Sequence, residues 1–133
     1  MTGLFHTSDT RYAYFYFHDL NEPAEITRKL GRSIISLAQE GEPALAGEAS
    51  GSRWKLRSRL DLQAPLESHA KDILDQLDAN KNEFVELSRE LGGTMQLIEY
   101  FREHDPSLNF DSQTVSRLAE YSLRLNCNFY NFR

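Results

Sequence analysis

Residues 53–60 read RWKLRSRL, and this stretch decides the fold that we expect. The side chains of a β-strand point alternately to its two faces. If this stretch is a strand, one face carries four cations, which we call the basic row: Arg53, Lys55, Arg57 and Arg59. The opposite face carries three apolar side chains: Trp54, Leu56 and Leu60. The stretch therefore predicts a sheet with one buried face and one charged face.

A second strand-like run precedes it at residues 11–18, RYAYFYFH. Aromatic residues favour strands. One face of this run carries three tyrosines, which we call the tyrosine row: Tyr12, Tyr14 and Tyr16. The other face carries Phe15 and Phe17. Because a tyrosine hydroxyl prefers a wet or hydrogen-bonded environment, we expect the phenylalanines in the core and the tyrosine row on an open face beside the basic row.

The clearest helical pattern begins at Pro65. Its apolar residues recur at helical spacing and form one stripe: Leu66, His69, Ala70, Ile73, Leu74 and Leu77. Asn80 and Glu83 resemble a capping box, so residues 65–91 form either one bent helix or two. Gly92 and Gly93 are expected to end the helical region.

The remaining elements are shorter. Residues 23–31 are predicted to form a helix and residues 33–38 a strand. Residues 94–103 and 125–132 are predicted strands. Between them, Asp111 is expected to cap a helix whose inward residues are Val115, Leu118 and Ala119.

This order of elements predicts an α+β fold in one domain spanning residues 1–133. We expect about five strands in a mostly antiparallel sheet, with helices packed on one face, in a loosely ferredoxin-like arrangement. Residues 1–10 are expected to form a loose N-terminus. Residues 39–52, QEGEPALAGEASGS, are rich in glycine and lack periodicity, so we expect a mobile loop.

Charge and composition exclude several classes of function. The net charge of −5 disfavours binding to nucleic acid or to an anionic membrane, and we expect neither partner. The chain has a single cysteine, Cys127, so it can form no internal disulfide. Neither a signal-peptide pattern nor a membrane-spanning apolar run is present. We therefore expect a cytoplasmic protein.

The sequence contains no phosphate-binding glycine loop, nucleophile elbow or zinc-ligand spacing. We predict no catalytic residues, no metal site, no cofactor and no enzymatic activity. One weaker hypothesis is a hydrolase built on two His-Asp pairs at strand ends, His18-Asp19 and His104-Asp105. It requires the two pairs to converge in space.

The chain resembles a bacterial family catalogued as domain of unknown function 4279. The resemblance covers residues 11–132 and is carried by four segments: the aromatic first strand, NEPAEITRKLG at 21–31, GSRWKLRSRLDLQAPLESHAKDILDQL at 51–77, and the ending NCNFYNF. The family supplies no established catalytic residues that could be carried over to this chain. Small bacterial families of this kind often include immunity proteins, which neutralise the toxin of a neighbouring cell.

These observations favour a non-enzymatic binding protein, and specifically an immunity protein that neutralises a cognate toxin encoded nearby by binding it directly. The binding surface is either the sheet face that carries the basic row and the tyrosine row or the acidic helical surface, which carries Asp61, Glu67, Asp72, Asp75, Asp78, Glu83, Glu86 and Glu90. The alternative is a sensor of an anionic small molecule that uses residues 53–59 with the tyrosines. A homodimer formed through the open sheet face is compatible with each hypothesis.

Overall fold

The computed structural model describes residues 9–17 and 55–133, and these residues form four strands and three helices. In chain order the elements are β1 (Thr10–Phe17), β2 (Lys55–Arg57), α1 (Leu66–Asp78), α2 (Lys81–Leu91), β3 (Gly93–Phe101), α3 (Ser112–Glu120) and β4 (Leu123–Asn131).

The four strands form one mixed sheet in the order β2-β1-β3-β4. Strand β1 is antiparallel to both β2 and β3, whereas β3 and β4 are parallel. A parallel pair needs a connection that returns the chain to the same end of the sheet, and α3 provides it. In the strand order β2-β1-β3-β4, β4 is an edge strand of the described sheet.

The sheet has an inner face, which packs against the helices, and an outer face. Ala13, Leu97 and Cys127 lie side by side on the inner face, and Phe15 lies beside Met95 in the next row. These side chains form a single core with the apolar stripe of α1, whose six predicted residues are all fully or almost fully buried. The periodicity of the sequence thus predicted the buried side of α1 correctly.

The α+β class is confirmed, and two finer features differ from the prediction. The described residues hold four strands rather than five, because the predicted strand 33–38 lies outside them. The predicted helix 23–31 and the predicted loop 39–52 also lie outside them. The pairing of β3 with β4 is parallel, so the sheet is mixed and does not match the ferredoxin-like expectation. Within the described residues, no helix is long and apolar enough to cross a bilayer.

Residues 65–91 form two helices, which resolves the alternative left open by the sequence. Gly92 follows α2 with a φ of 81°, and its N–H donates to the carbonyl of Ser88. This left-handed conformation favours glycine and turns the chain into β3.

The cap of α3 was predicted correctly, and its inward face in part. Asp111 accepts a hydrogen bond from the backbone N–H of Thr114 at 2.8 Å, as an N-cap should. Leu118 is buried, but Val115 is 52% exposed and Ala119 is also exposed, while Thr114 is buried instead. Thr114, Leu118 and Tyr121, the residue after α3, are all buried, and their spacing places them on one side of the helix.

Candidate binding site

An open groove of about 680 Å³ lies on the outer face, where β1 begins and β3 ends. We call it the aromatic groove. Its lining residues come from β1, β2 and β3 and from the segments that follow β2, β3 and β4: Thr10, Tyr12, Ala13, Arg57, Ser58, Leu60, Leu62, Tyr100, Arg102 and Phe132. Strand register brings them together, because Tyr100 lies beside Thr10 on one side and beside Tyr130 on the other.

Tyr100 is the centre of an aromatic cluster. Its ring stacks on Tyr130 with centroids 5.0 Å apart and meets Phe132 edge-on at 5.1 Å. The ring of Tyr12 lies 6.4 Å away on the other side. Such contacts between rings fix their orientation and add stability beyond simple burial. The groove therefore has a preorganised aromatic wall.

Two arginines give the groove its positive charge. The Arg102 guanidinium lies 5.0 Å from the centre of the Phe132 ring, in a cation–π arrangement. Its Nη1 also donates to the carbonyl of Phe132 at 3.4 Å. Arg57 lies on β2 at the opposite side of the groove. The combination of flat apolar rings and guanidinium groups suits a ligand that has both an apolar and an anionic part.

Apolar side chains around the groove are exposed. Leu62 is 51% exposed, Phe132 is 49% exposed and Leu60 is 38% exposed. Contiguous exposed apolar surface on a soluble protein often marks a site of interaction. The aromatic groove is therefore the strongest candidate for a binding site among the described residues.

The tyrosine row follows the outer face as predicted, but most of it is not open to solvent. Tyr12 lines the groove, whereas Tyr14 is fully buried and Tyr16 is half-buried. The Lys55 ammonium lies 4.9 Å from the centre of the Tyr14 ring, and Lys55 is only 5% exposed. A row of exposed aromatic rings is unfavourable in water, and the central ring of this row, Tyr14, is buried.

The basic row is not continuous. Arg53 and Trp54 lie outside the described residues, and β2 ends at Arg57, well short of the predicted end at residue 60. Arg59 therefore does not share a face with Lys55 and Arg57. Its guanidinium instead binds Asp72 of α1 with Nη2 at 2.7 Å and Nε at 3.0 Å. Burial of a carboxylate without a charged partner is costly. The Arg59 side chain therefore points toward Asp72 and the helices, and not along the basic row.

The acidic surface of α1 is largely neutralised within the chain. Arg117 of α3 donates to Asp75 at 2.8 Å and to Asp78 at 2.9 Å. Asp78 also accepts a hydrogen bond from the Tyr121 hydroxyl. Burial, with the nearby Asp78 carboxylate, raises the pKa of Tyr121 well above its usual value, so this hydroxyl remains a donor. These carboxylates hold α3 against α1.

Asp9 organises the segment next to the groove, although the sequence placed it in a loose N-terminus. Its carboxylate is buried and accepts from the backbone N–H groups of Arg102 at 2.6 Å and Glu103 at 2.8 Å. It also lies 3.1 Å from His104 Nδ1 and 3.3 Å from an Arg11 nitrogen. Asp9 thereby positions Arg102 in the groove. An aspartate before a strand was the only sequence signal for this role.

The titration of Asp9 reflects these contacts. Burial alone raises the pKa of Asp9, but the hydrogen bonds from Glu103, Arg102 and His104 outweigh it and lower the pKa to about 2. The pKa of Glu99, which is paired with Arg11 at 3.1 Å, shifts in the opposite direction. Burial is the dominant effect there and raises the pKa of Glu99.

The remaining chemical candidates make structural contacts in the part of the chain that is described. His69 is fully buried and lies 2.6 Å from the Ser58 hydroxyl, and burial raises the pKa of the Cys127 thiol. His104 contacts Asp9, while Asp105 binds Arg133. The other His-Asp pair lies outside residues 9–17 and 55–133. Among these residues no cluster of His, Cys, Asp and Glu could hold a metal ion.

A comparison with protein families supports the family resemblance that the sequence segments indicate. The family model described as Domain of unknown function (DUF4279) matches residues 9–132. The chain belongs to this family. No curated protein and no solved structure matches the chain.

Proposed function

We propose that the chain is a non-enzymatic binding protein, and specifically a bacterial, cytoplasmic immunity protein that neutralises a cognate toxin by holding it at the aromatic groove. The observation that carries this proposal is the preorganised cluster of Tyr100, Tyr130 and Phe132 beside Arg102, in which Tyr130 and Phe132 are exposed. Tyrosine, phenylalanine and arginine are enriched where proteins bind proteins, and tyrosine and arginine contribute most often to binding hot spots.

The groove is a better candidate than the acidic surface of α1. Asp75 and Asp78 are both engaged by Arg117, and Asp72 is buried against Arg59. A partner that used these carboxylates would have to replace existing bonds. The half-exposed rings and leucines of the groove, by contrast, would be transferred out of water on binding.

The test is to express the chain with the product of the neighbouring gene and to measure protection and affinity. Phe132→Ala and Leu62→Ala each remove a half-exposed groove side chain, and we expect affinity for the toxin to fall about tenfold. Val115→Ala is the matched control, because Val115 is equally exposed but lies on α3, on the other side of the sheet. Absence of binding and protection, or equal affinity for all three variants, contradicts the proposal.

The second candidate is a sensor of an anionic small molecule. Arg57 and Arg102 lie on opposite sides of one groove, and its volume is in the range of roughly 300–1,000 Å³ that is typical of small-molecule sites. This arrangement replaces the original hypothesis of a row that ran through Arg59. A bound ligand stabilises the folded state, so a thermal-shift screen of aromatic carboxylates and phosphates tests it. We expect stabilisation that Arg102→Ala abolishes, and a screen with no stabilising compound removes this candidate.

A further inference from the structure

Strand β4 is an unusual edge strand. Its nine residues pair with β3 on one side only among the described strands, and seven of them are exposed. Three of the exposed residues are large hydrophobics, and two of these lie on the inner face, Leu125 at 39% and Phe129 at 40%. Natural edge strands are normally protected from pairing by lysine, proline, bulges or short length. The sequence LRLNCNFYN has no lysine and no proline, and β4 is longer than an average strand.

We propose that β4 pairs antiparallel with β4 of a second copy of the chain, with Cys127 on the two-fold axis. Strand β4 runs from Leu123 to Asn131 and is therefore centred on Cys127. This is the register that pairs all nine residues. It keeps the helices of both copies on the same side and joins the two four-stranded sheets into one continuous sheet. The inference goes beyond the proposed function and does not depend on it.

The register is self-complementary on the inner face. Directly opposite residues of an antiparallel pair lie on the same face, about 4.5–5.5 Å apart. Leu125 then meets Phe129 of the second copy, and the symmetry repeats this contact. The two exposed apolar side chains of the inner face thereby cover each other. A shift by two residues toward the C-terminus would instead place Leu125 opposite the polar Asn131.

The outer face of the strand is complementary as well. Gln96 donates to Asn128 Oδ1 at 2.5 Å and accepts from Asn126 Nδ2 at 2.8 Å. These bonds use neither Asn126 Oδ1 nor Asn128 Nδ2. The register places Asn126 opposite Asn128 of the second copy, so that an acceptor faces a donor twice across the axis.

Charge is also compatible with this pairing. Arg124 is the only charged residue of β4, and it lies opposite Tyr130 of the second copy. No like charges face each other directly, and a guanidinium beside a tyrosine ring is favourable. Because the axis is perpendicular to the sheet, the dimer presents its two aromatic grooves on the same side.

A charge-exchange series tests both the dimer and its register. By light scattering on the purified full chain, we expect wild type to have twice the 15.4 kDa mass of one chain. Leu125→Glu and Phe129→Lys should each give a monomer, because an unpaired charge replaces an apolar contact. The double variant should dimerise again, since the register places each introduced carboxylate opposite an introduced ammonium. Val115→Glu is the control for an added surface charge and should remain dimeric.

A thiol crosslink gives a second readout. A short bis-maleimide should join two wild-type chains through Cys127, and Cys127→Ser should abolish the product. A monomeric wild type, or single variants that remain dimeric, overturns the proposal. A dimer whose double variant stays monomeric overturns the register. Circular dichroism of each variant verifies that the chain is folded, and none of these measurements requires a toxin.

Discussion

At the residue scale, His69 shows how burial governs titration. It belongs to the apolar stripe of α1, it is fully buried, and its Nδ1 contacts the Ser58 hydroxyl at 2.6 Å. Burial lowers the pKa of His69 from the usual 6.5, because the charged imidazolium would lose its hydration. The unfolded chain therefore binds more protons than the folded chain in mild acid. The contribution to stability is complete above pH 6.5 and is lost as the pH falls through the folded pKa.

We expect His69→Gln to remove this pH dependence. Glutamine can still form a hydrogen bond with Ser58, but it does not titrate. The free energy of unfolding of wild type, measured with urea between about pH 7.5 and about pH 5, should fall toward acid more steeply than that of the variant. Ser116→Gln is the control, because Ser116 is exposed on α3 and neither side chain titrates. Equal slopes for wild type and His69→Gln would rule out this account.

Asp9 gives a second prediction at the same scale. Its folded pKa of about 2 lies below the usual 3.8, so the stability it contributes is present above pH 3.8 and is lost as the pH falls toward 2. Asp9→Asn loses the charge-assisted bonds to Arg102 and Glu103 and should lower the free energy of unfolding by roughly 1–3 kcal/mol. The control is Asp105→Asn, because Asp105 is 86% exposed in its pair with Arg133. Chemical denaturation at neutral pH measures both, and a null effect at Asp9 contradicts its organising role.

At the element scale, the Arg59–Asp72 pair attaches the segment after β2 to α1. Asp72 is 8% exposed and also accepts from the Arg59 backbone N–H at 2.8 Å. Arg59→Ala leaves that carboxylate without its bidentate partner, so we expect a loss of roughly 1–3 kcal/mol in the free energy of unfolding. Arg89→Ala, on the exposed side of α2, should cost much less. A double-mutant cycle with Asp72→Asn measures the coupling energy of the pair. A coupling energy close to zero would mean that the pair does not stabilise the fold.

The sequence predicted secondary-structure elements best where the signal is a local pattern of residues. The α1 stripe, the Asp111 cap and the inward phenylalanines of β1 are all local patterns, and each is present. The parallel pairing of β4 was missed because it depends on how α3 crosses the sheet, which no local pattern encodes.

The candidate site was harder to predict than the elements. Alternation along residues 53–60 assumed an uninterrupted strand, but Arg59 leaves the row to satisfy Asp72. Tyr12 and Arg57 were correctly placed on the outer face. Their main partners in the groove, Tyr100, Arg102 and Phe132, come from the other end of the chain. Their convergence follows from the strand register, which only the three-dimensional structure supplies.

At the scale of the whole molecule, edge pairing makes stability depend on concentration. If the folded chain dimerises through β4 and the unfolded chain does not, association shifts the unfolding equilibrium by mass action. The Tm of wild type should therefore rise when the protein concentration is raised, by an amount that grows with the logarithm of concentration. The same rise is not expected of a protein that unfolds as a monomer.

Leu125→Glu separates this effect from any loss of monomer stability. Leu125 is 39% exposed in one chain, so the monomeric fold should tolerate the change, and its Tm should be independent of concentration. Calorimetry over about a hundredfold range of concentration makes the comparison, and the Leu125→Glu, Phe129→Lys double variant should regain the dependence. A wild-type Tm that does not change over this range would contradict the pairing of β4 with a second copy. The nine-residue edge would then need another means of avoiding aggregation, and Arg124 is the only charge it has for that purpose.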